Sequence, residues 1–407
     1  MAKRKKKRQN RFLYALARTI CAAVSRFLFR PRVLVNELKG KKGPFVVIAN
    51  HQASLDFVNL ITRTRMPLSF VISHAFYSTL PVKGYMDRIG VIPKQQFQTG
   101  LSELHAMKSV CAGGGGLVVY PAGLMCEDGS QTPLPVATHK FLVHLGVDVY
   151  LAKTEGAYFV MPKWAKDKRR GPTTMSITKL LSAEQLHALP EEELERKVHD
   201  ALSFDAYKDQ ERLRFRYKNG HSIRGLSGIL PLCPHCKTDF SLTEKDESTL
   251  HCTACGFEER CDEYGFLHNE KGIGPEIRYV SDMGRIVHEE IRARMEKGTL
   301  TTLSLPCRIH MIDYKKQKFV PVGQATVTLT ENAFLLSGTL AGEEKELSLP
   351  TLHFASLPFT PNACFEIQNG KDVYRCYPDD PRAVMTVVHM VRIFYAQKNA
   401  SANTVPT

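Results

Sequence analysis

Two groups of residues in this sequence have the types and spacing for chemistry. The first is Asn50-His51-Gln52-Ala53-Ser54-Leu55-Asp56, in which a histidine precedes an aspartate by five positions. Imidazole is the side chain suited to taking a proton near neutral pH, and a carboxylate beside it holds its tautomer and stabilises the imidazolium that forms. On a regular helix, residues five apart point about 140° away from each other. The pair can meet only if His51 lies in an irregular turn and Asp56 reaches back from the first turn of a helix, where the dipole also favours a carboxylate. Taken alone, so short a motif far more often describes a loop histidine followed by a helix-capping aspartate. The second group is Cys233-Pro234-His235-Cys236 and Cys252-Thr253-Ala254-Cys255, two knuckles separated by fifteen residues. That spacing predicts four thiolates around one structural Zn²⁺, a closed site with no open coordination position. A disulfide pairing is disfavoured in a reducing compartment. His235, His251 and Cys261 rank below the four cysteines as ligands.

The elements that must position these groups are legible in outline. Phe45-Val46-Val47-Ile48-Ala49, immediately before Asn50, is an apolar run fit for a buried strand. Residues 117–120 and 147–151 read as two more strands, with helices over 100–112 and 133–145 between them. The alternation predicts an α/β sheet domain with helices on its faces. The Gly113–Gly116 run reads as a turn, since neither a helix nor a Lys-Ser/Thr pair follows to make it a phosphate cradle. A polar helix over 182–201 leads to the paired cysteines, and a charged helix over 274–297 follows them. Short strands are then predicted over 301–312, 319–330, 333–336, 344–348, 363–367 and 373–376, with a last helix over 381–396. Strands closed by one helix resemble a pleckstrin-homology-like barrel in length and order alone.

The N-terminus adds a charge run, Lys3-Arg4-Lys5-Lys6-Lys7-Arg8, and then Leu13, Leu16, Ile20, Val24 and Phe27 at helical spacing. Such a stripe taken alone equally fits a helix packed on the core; beside the polybasic run, the helix is expected to lie on an anionic bilayer. Arg18 and Arg26 would each cost about 2.5–3.5 kcal/mol near mid-bilayer, so the helix is not expected to span. Arg18 and Arg26 also break any cleavable leader pattern. The formal charge of +14 over 407 residues points to an anionic partner. With 43% hydrophobic and 24% charged residues, wholesale disorder is excluded. Nucleic acid is not expected as a partner, because Asp239, Glu244, Asp246 and Glu247 surround the paired cysteines.

Asn50-His51-x4-Asp56 after an apolar strand, then Arg88-Ile89-Gly90-Val91-Ile92-Pro93-Lys94, then Val118-Val119-Tyr120-Pro121-Ala122-Gly123, resembles the glycerolipid acyltransferase family typified by lysophosphatidate acyltransferase. Order and spacing both fit, over the first half of the chain. The resemblance implies a membrane-associated enzyme of phospholipid biosynthesis. It would move a fatty acyl group from a coenzyme A or acyl-carrier-protein thioester to the hydroxyl of a lysophospholipid acceptor. His51 would be the general base and Asp56 its partner. Lys94, with Arg88 as a second candidate, would hold the acceptor phosphate. Asn50, Tyr120, Pro121 and Gly123 complete the substrate-binding blocks. Some bacterial relatives look similar in carrying a ribbon where this chain has its cysteine knuckles.

The expected organisation is a basic membrane-binding segment (1–30), an acyltransferase domain (31–225), a zinc ribbon (226–270), and a helix plus β-rich domain (271–407). The expected location is peripheral, on the cytoplasmic face of a membrane. The chain departs from the family pattern at Ala122, where Glu is usual, and at Met125 and Cys126, where Arg and Ser are usual. Ala53 stands where Ser is common, and Val147-Asp148-Val149 lacks the Pro of the family's fourth block. Glu127 and Asp128 lie close enough in sequence to replace the missing carboxylate. Pro162-Lys163-Trp164 and Lys168-Arg169-Arg170 read as a solvated face or as a phosphate contact for the donor. The alternative to an enzyme is a non-catalytic, lipid-binding adaptor that keeps the acyltransferase fold, and Ala122 is its main support.

Overall fold

The computed structural model describes residues 9–97, 100–351 and 354–402; the basic run over 3–8 lies outside them. The chain forms two compact units. One comprises Met1–Met125, Leu134–Val160 and Arg170–Phe204, and the other Cys126–Pro133, Met161–Arg169 and Asp205–Thr407. The cysteine knuckles and the β-rich segment both fall within the second unit.

The first unit is a seven-stranded sheet. Its strands are β1 (Pro31–Asn36), β2 (Phe45–Ala49), β3 (Leu68–Ser73), β4 (Ile92–Lys94), β5 (Gly116–Val119), β6 (Asp148–Glu155) and β7 (Thr173–Leu181), in the order β1-β7-β6-β2-β5-β3-β4. All neighbours are parallel except β6 and β7. All five β2 residues are buried, because a parallel strand covered on both faces has no solvent side. Phe45, Val47 and Ala49 enter one core with Phe70, Tyr150 and Ile177, while Val46 and Ile48 enter the other with Leu117, Leu142 and Val149. Strands β2, β5, β3 and β4 run the same way. The loops after Ala49, Val119 and Lys94 therefore leave one end of the sheet, where open α/β sheets bind ligands.

Helix α1 (Arg11–Val24) is capped by the Asn10 side chain and continues as a π turn over Ser25–Phe29 to Arg30, which adopts a left-handed conformation. The amphipathic helix is present, but its predicted apolar stripe divides. Tyr14 and Ala17 are buried, with Leu13 and Cys21 packed beside them, whereas Leu16, Ile20 and Phe27 are exposed together with Phe12. The sheet takes the small residues and a tyrosine that can bond its hydroxyl to the Leu68 amide at 3.0 Å. The larger aliphatic and aromatic groups remain outside.

The remaining helices of this unit are α2 (Asp56–Leu60), α3 (His74–Thr79), α4 (Lys83–Ile89), α5 (Leu101–Ala112), α6 (Thr138–Leu145), α7 (Ala157–Val160), α8 (Ala183–Ala188) and α9 (Glu191–Leu202). The single helix expected over 182–201 is two, because Pro190 has no N–H to give and cannot sit inside the ladder. Likewise α6 begins at Thr138 and not at Pro133, since Pro135 biases the residue before it away from helix. Strands β1, β3, β4 and β7 have no counterpart among the expected ones.

In the second unit, α10 (Ala206–Leu213) precedes a four-stranded antiparallel sheet made of β8 (Leu242–Glu244), β9 (Thr249–Cys252), β10 (Glu258–Cys261) and β11 (Leu267–His268). Helix α11 (Val280–Glu296) follows. Then come β12 (Leu303–Asp313), β13 (Lys318–Leu329), β14 (Ala333–Leu340), β15 (Glu343–Pro350), β16 (Phe359–Thr360), β17 (Cys364–Asn369) and β18 (Asp372–Pro378), in the order β15-β14-β13-β12-β18-β17-β16. The last helix, α12 (Val384–Ala402), buries Val384, Val388, Val391 and Ile393 together with His389 and Arg392, the pattern of a helix enclosed on most sides.

Candidate active site and metal centre

Strand β2 delivers Asn50 and His51 to the sheet end already described. Asn50 is buried and clamps the neighbouring strand: its Nδ2 donates to the Thr154 carbonyl at 2.8 Å, and its Oδ1 accepts from the Thr154 amide at 2.8 Å. His51 follows in an irregular stretch, and α2 opens at Asp56. The geometric condition set by the five-residue spacing is met. Asp56 Oδ2 stands 3.0 Å from His51 Nδ1 and also accepts the Gln52 and Ala53 amides at 2.8 and 2.9 Å. An ionised carboxylate can only accept, so Nδ1 carries the proton in this contact and Nε2 keeps its lone pair.

Asp56 is 2% exposed and His51 is 20% exposed, so the carboxylate is enclosed and the imidazole meets solvent. The ring lies 4.5 Å from the Tyr120 ring, tilted by 34°. Burial, with the charge of Asp56 nearby, pushes the Tyr120 phenol well above its ordinary value, so it stays a neutral donor. Gln52 is buried, and its Oε1 accepts the Tyr158 amide at 3.2 Å. A lone pair on an accessible imidazole nitrogen, backed by a buried carboxylate, can abstract a proton from a hydroxyl and later return it.

The turn after β5 is tied by Gly123 N to the Tyr120 carbonyl at 2.9 Å, and Gly123 has φ of +68°, a conformation that favours glycine. Gln96 Nε2 donates to the Gly123 carbonyl at 2.7 Å, and Ser73 Oγ donates to Gln96 Oε1 at 3.1 Å. The loop after Lys94 is thereby bound to the turn carrying Pro121. Burial pulls the Lys94 ammonium down to about 8, with Glu103 opposing the shift. Its Nζ donates to the Gln95 carbonyl at 3.0 Å. Arg88 is exposed on α4 and makes none of the contacts that join His51, Asp56 and Tyr120.

Two expectations near the third block are corrected. Glu127 is not free to stand in for the carboxylate missing at Ala122: it is buried and held by both terminal nitrogens of Arg392, which also donates to Ser356 Oγ at 2.9 Å. That guanidinium holds Glu127 down at about 2, against its burial. Asp128 bonds the Ser130 amide and hydroxyl at 2.8 and 2.7 Å. The basic cluster after β6 is not one solvated or phosphate-binding face either. Arg169 is buried, donating to the Ser222 carbonyl and stacking 5.0 Å from Trp164, and Lys163 sits 3.2 Å over the Phe359 ring.

The four knuckle cysteines converge. Their sulfurs all lie within 4.8 Å of one another, with Cys233 to Cys255 at 3.9 Å and Cys236 to Cys252 at 3.8 Å. Thiolates on a tetrahedron with metal–sulfur bonds of about 2.3 Å stand about 3.8 Å apart, so the set could hold a metal ion. The residue after each knuckle, Lys237 or Gly256, has positive φ, which turns the chain back around the sulfurs. His235, His251 and Cys261 are outside the cluster; His251 faces Glu258 at 3.5 Å.

The Asn50–Thr154 clamp and the Gln52–Tyr158 bond escaped the sequence reading because their partners lie more than a hundred residues away. No family model matches the sequence, and no curated protein matches it. Solved structures that resemble it include the crystal structure of the 1-acyl-sn-glycerophosphate (LPA) acyltransferase PlsC from Thermotoga maritima. That match covers 50% of this chain and 78% of that one, with 19% identity and a TM-score of 0.39.

Proposed function

We propose that this chain is an acyltransferase working at a membrane surface, with His51 as general base and Asp56 as the group that orients it. The observation that carries the reading is the enclosed Asp56 carboxylate, 3.0 Å from a solvent-reaching imidazole at the ligand-binding end of a parallel sheet. His51 Nε2 takes the acceptor's hydroxyl proton as that oxygen attacks the thioester carbonyl. The tetrahedral intermediate collapses, the carbon–sulfur bond breaks, and the imidazolium returns its proton to the leaving thiolate. Ester and free thiol result, and Asp56 stays ionised throughout. The donor is an acyl-coenzyme A or acyl-carrier protein and the acceptor a lysophospholipid, with Lys94 toward its phosphate. The knuckle cysteines are assigned a structural Zn²⁺.

The membrane reading is supported by exposed Phe12, Leu16, Ile20 and Phe27 on a segment without an acidic residue. By length and composition alone, the helix Arg11–Phe29 is sufficient to cross a bilayer. A peripheral position is favoured because crossing would break Tyr14 to Leu68, Tyr85 to the Leu13 carbonyl at 2.9 Å, and Arg18 to the Thr64 carbonyl at 3.2 Å. None of the eleven cysteines is paired in a disulfide, which suits the cytoplasmic face.

A second reading, a lipid-binding adaptor, is favoured by one observation: Ala122 is 3% exposed and offers no carboxylate to an acceptor. The deciding experiment is acyl transfer followed by mass spectrometry, with thioester donors and lysophosphatidate in anionic vesicles, beside His51→Ala. Turnover that vanishes in the variant supports the enzyme. Vesicle binding without turnover supports the adaptor.

A further inference from the structure

A second basic feature lies apart from the dyad. Where the π turn ends, Ala22, Ser25, Arg26, Arg30, Pro31, Thr62 and Arg63 line a groove of about 610 Å³. Three guanidinium groups border it, and no ion pair to Arg26, Arg30 or Arg63 occurs among the described residues. Residues 9–36 and 57–86, which contribute every lining group, contain no Asp or Glu. Clustered arginines without counter-charge repel one another, so a site of this kind is completed by an anion, and the planar fork of Arg suits phosphate oxygens. The wall behind the groove holds a further polar group in reserve. Ser25 Oγ bonds Asn59 Oδ1 at 2.6 Å, while the buried Asn59 Nδ2 has no partner among the described residues. Arg63 is itself half-buried, with Nε on the Asn59 carbonyl at 2.9 Å.

What surrounds the groove identifies the source of the anion. Phe27 is exposed beside Arg26, and Phe12, Leu16 and Ile20 continue its row along α1. Strand β1 starts at the groove's Pro31 and exposes Val33, Leu34 and Val35. Apolar side chains on both sides of an arginine cluster fit a lipid whose headgroup enters the groove while its chains stay in the bilayer. The topology adds direction. Strand β1 is parallel to β7, and β7 is antiparallel to β6, so Pro31 lies at the sheet end from which His51 emerges.

We propose that Arg26, Arg30 and Arg63 form a docking site for the phosphate headgroup of an anionic bilayer lipid, which turns the His51 end of the sheet toward the membrane. The proposal rests on the membrane reading above.

The test measures sedimentation of the full chain with phosphatidylcholine vesicles containing 20 mol% phosphatidate, a composition chosen on the order of a natural anionic surface. R26Q/R30Q/R63Q should bind about tenfold or more weakly, while K39Q/K41Q/K42Q, which removes the same charge from exposed lysines, should lose no more than about threefold. R26K/R30K/R63K, with charge but no fork, should fall between them. Because Arg63 also bonds Asn59, R26Q/R30Q is the second variant; a loss of about threefold to fivefold at unchanged melting temperature supports the site. Equal losses in the arginine and lysine variants would overturn the groove and leave only diffuse charge. Competition by millimolar inorganic phosphate or glycerol 3-phosphate as strong as that by vesicles would overturn the lipid as source. Failure of the wild type to bind any vesicle would sink the membrane reading itself. R26Q/R30Q/R63Q should still turn over a dispersed short-chain acceptor, whereas His51→Ala should bind vesicles and lose about 10²–10⁴ in turnover, so the two readings fail separately.

Discussion

If Asp56 acts on the reaction only through His51, the two residues must behave as one unit, and a double-mutant cycle tests this. A carboxylate 3.0 Å from a fully charged imidazolium interacts with it by about 5–6 kcal/mol at an effective dielectric near 20. At 1.36 kcal/mol per tenfold, that limits the contribution of Asp56 to about four orders of magnitude in rate. The observed effect should be smaller, because the ring is 20% exposed and an amide oxygen at position 56 can still accept from Nδ1. Asp56→Asn is therefore expected to lower kcat by about 10²–10³ with little change in KM. His51→Ala removes the base and should cost about 10²–10⁴. Once the imidazole is gone, no imidazolium forms for Asp56 to stabilise. Adding Asp56→Asn to His51→Ala should then cost less than about threefold. The assay is single-turnover acyl transfer by mass spectrometry, with melting curves as a fold control. Asparagine can keep the bonds to the Gln52 and Ala53 amides, so the melting temperature should hardly move. Losses that multiply in the double variant, or a full-speed Asp56→Asn, would refute the dyad.

The other expectations concern charge and metal. Lys94 sits near 8 because burial disfavours its charged form, so it loses its proton as pH rises through that value. With a phosphate-bearing acceptor, kcat/KM should fall about tenfold per pH unit above about 8, and Lys94→Arg, charged at every accessible pH, should abolish that fall. Metal analysis should find about one zinc per chain, lost in Cys252→Ser together with near-ultraviolet dichroism; a folded, metal-free wild type would contradict the assignment. Glu127→Ala leaves the buried Arg392 without its carboxylate and should cost about 3–5 kcal/mol in urea unfolding, whereas Glu127→Leu with Arg392→Met should cost much less. Because Glu127 is held down at about 2 from an ordinary 4.5, its stabilisation is present above about 4.5 and is lost as pH falls toward 2, a decline the double variant should lack.

What was legible in the sequence is what is local. Strand β2 was readable to the residue because burial on both faces leaves an unbroken apolar run bounded by Pro44 and Asn50. The dyad was readable because a turn, a strand end and a helix start fit within seven residues. The knuckles were readable because two residues between cysteines fix their geometry. Strands β3, β4 and β7 were not, since Leu68–Ser73, Ile92–Lys94 and Thr173–Leu181 mix polar with apolar residues and owe their structure to partners elsewhere in the sheet. Glu127 illustrates the same limit. Its type and position suited a substitute for the missing carboxylate, and only Arg392, 265 residues away, decides otherwise.

Helix α1 shows how a correct period can still hide the orientation. Spacing alone finds a helix with apolar groups, but it cannot say which of two apolar faces the sheet accepts. The sheet accepts Tyr14 and Ala17 because a small residue permits close approach and a hydroxyl satisfies the free Leu68 amide. Phe12, Leu16, Ile20 and Phe27 are bulkier and have no polar group to offer that amide. Their exposure follows from the packing of the other face, and so it needs no assumption about a membrane. A contiguous apolar row left outside in this way is costly in water and calls for a cover. Its neighbours Arg26, Arg30 and Arg63 have no ion pair among the described residues, so the proposed cover is apolar in one layer and anionic in the next, as an anionic bilayer would be.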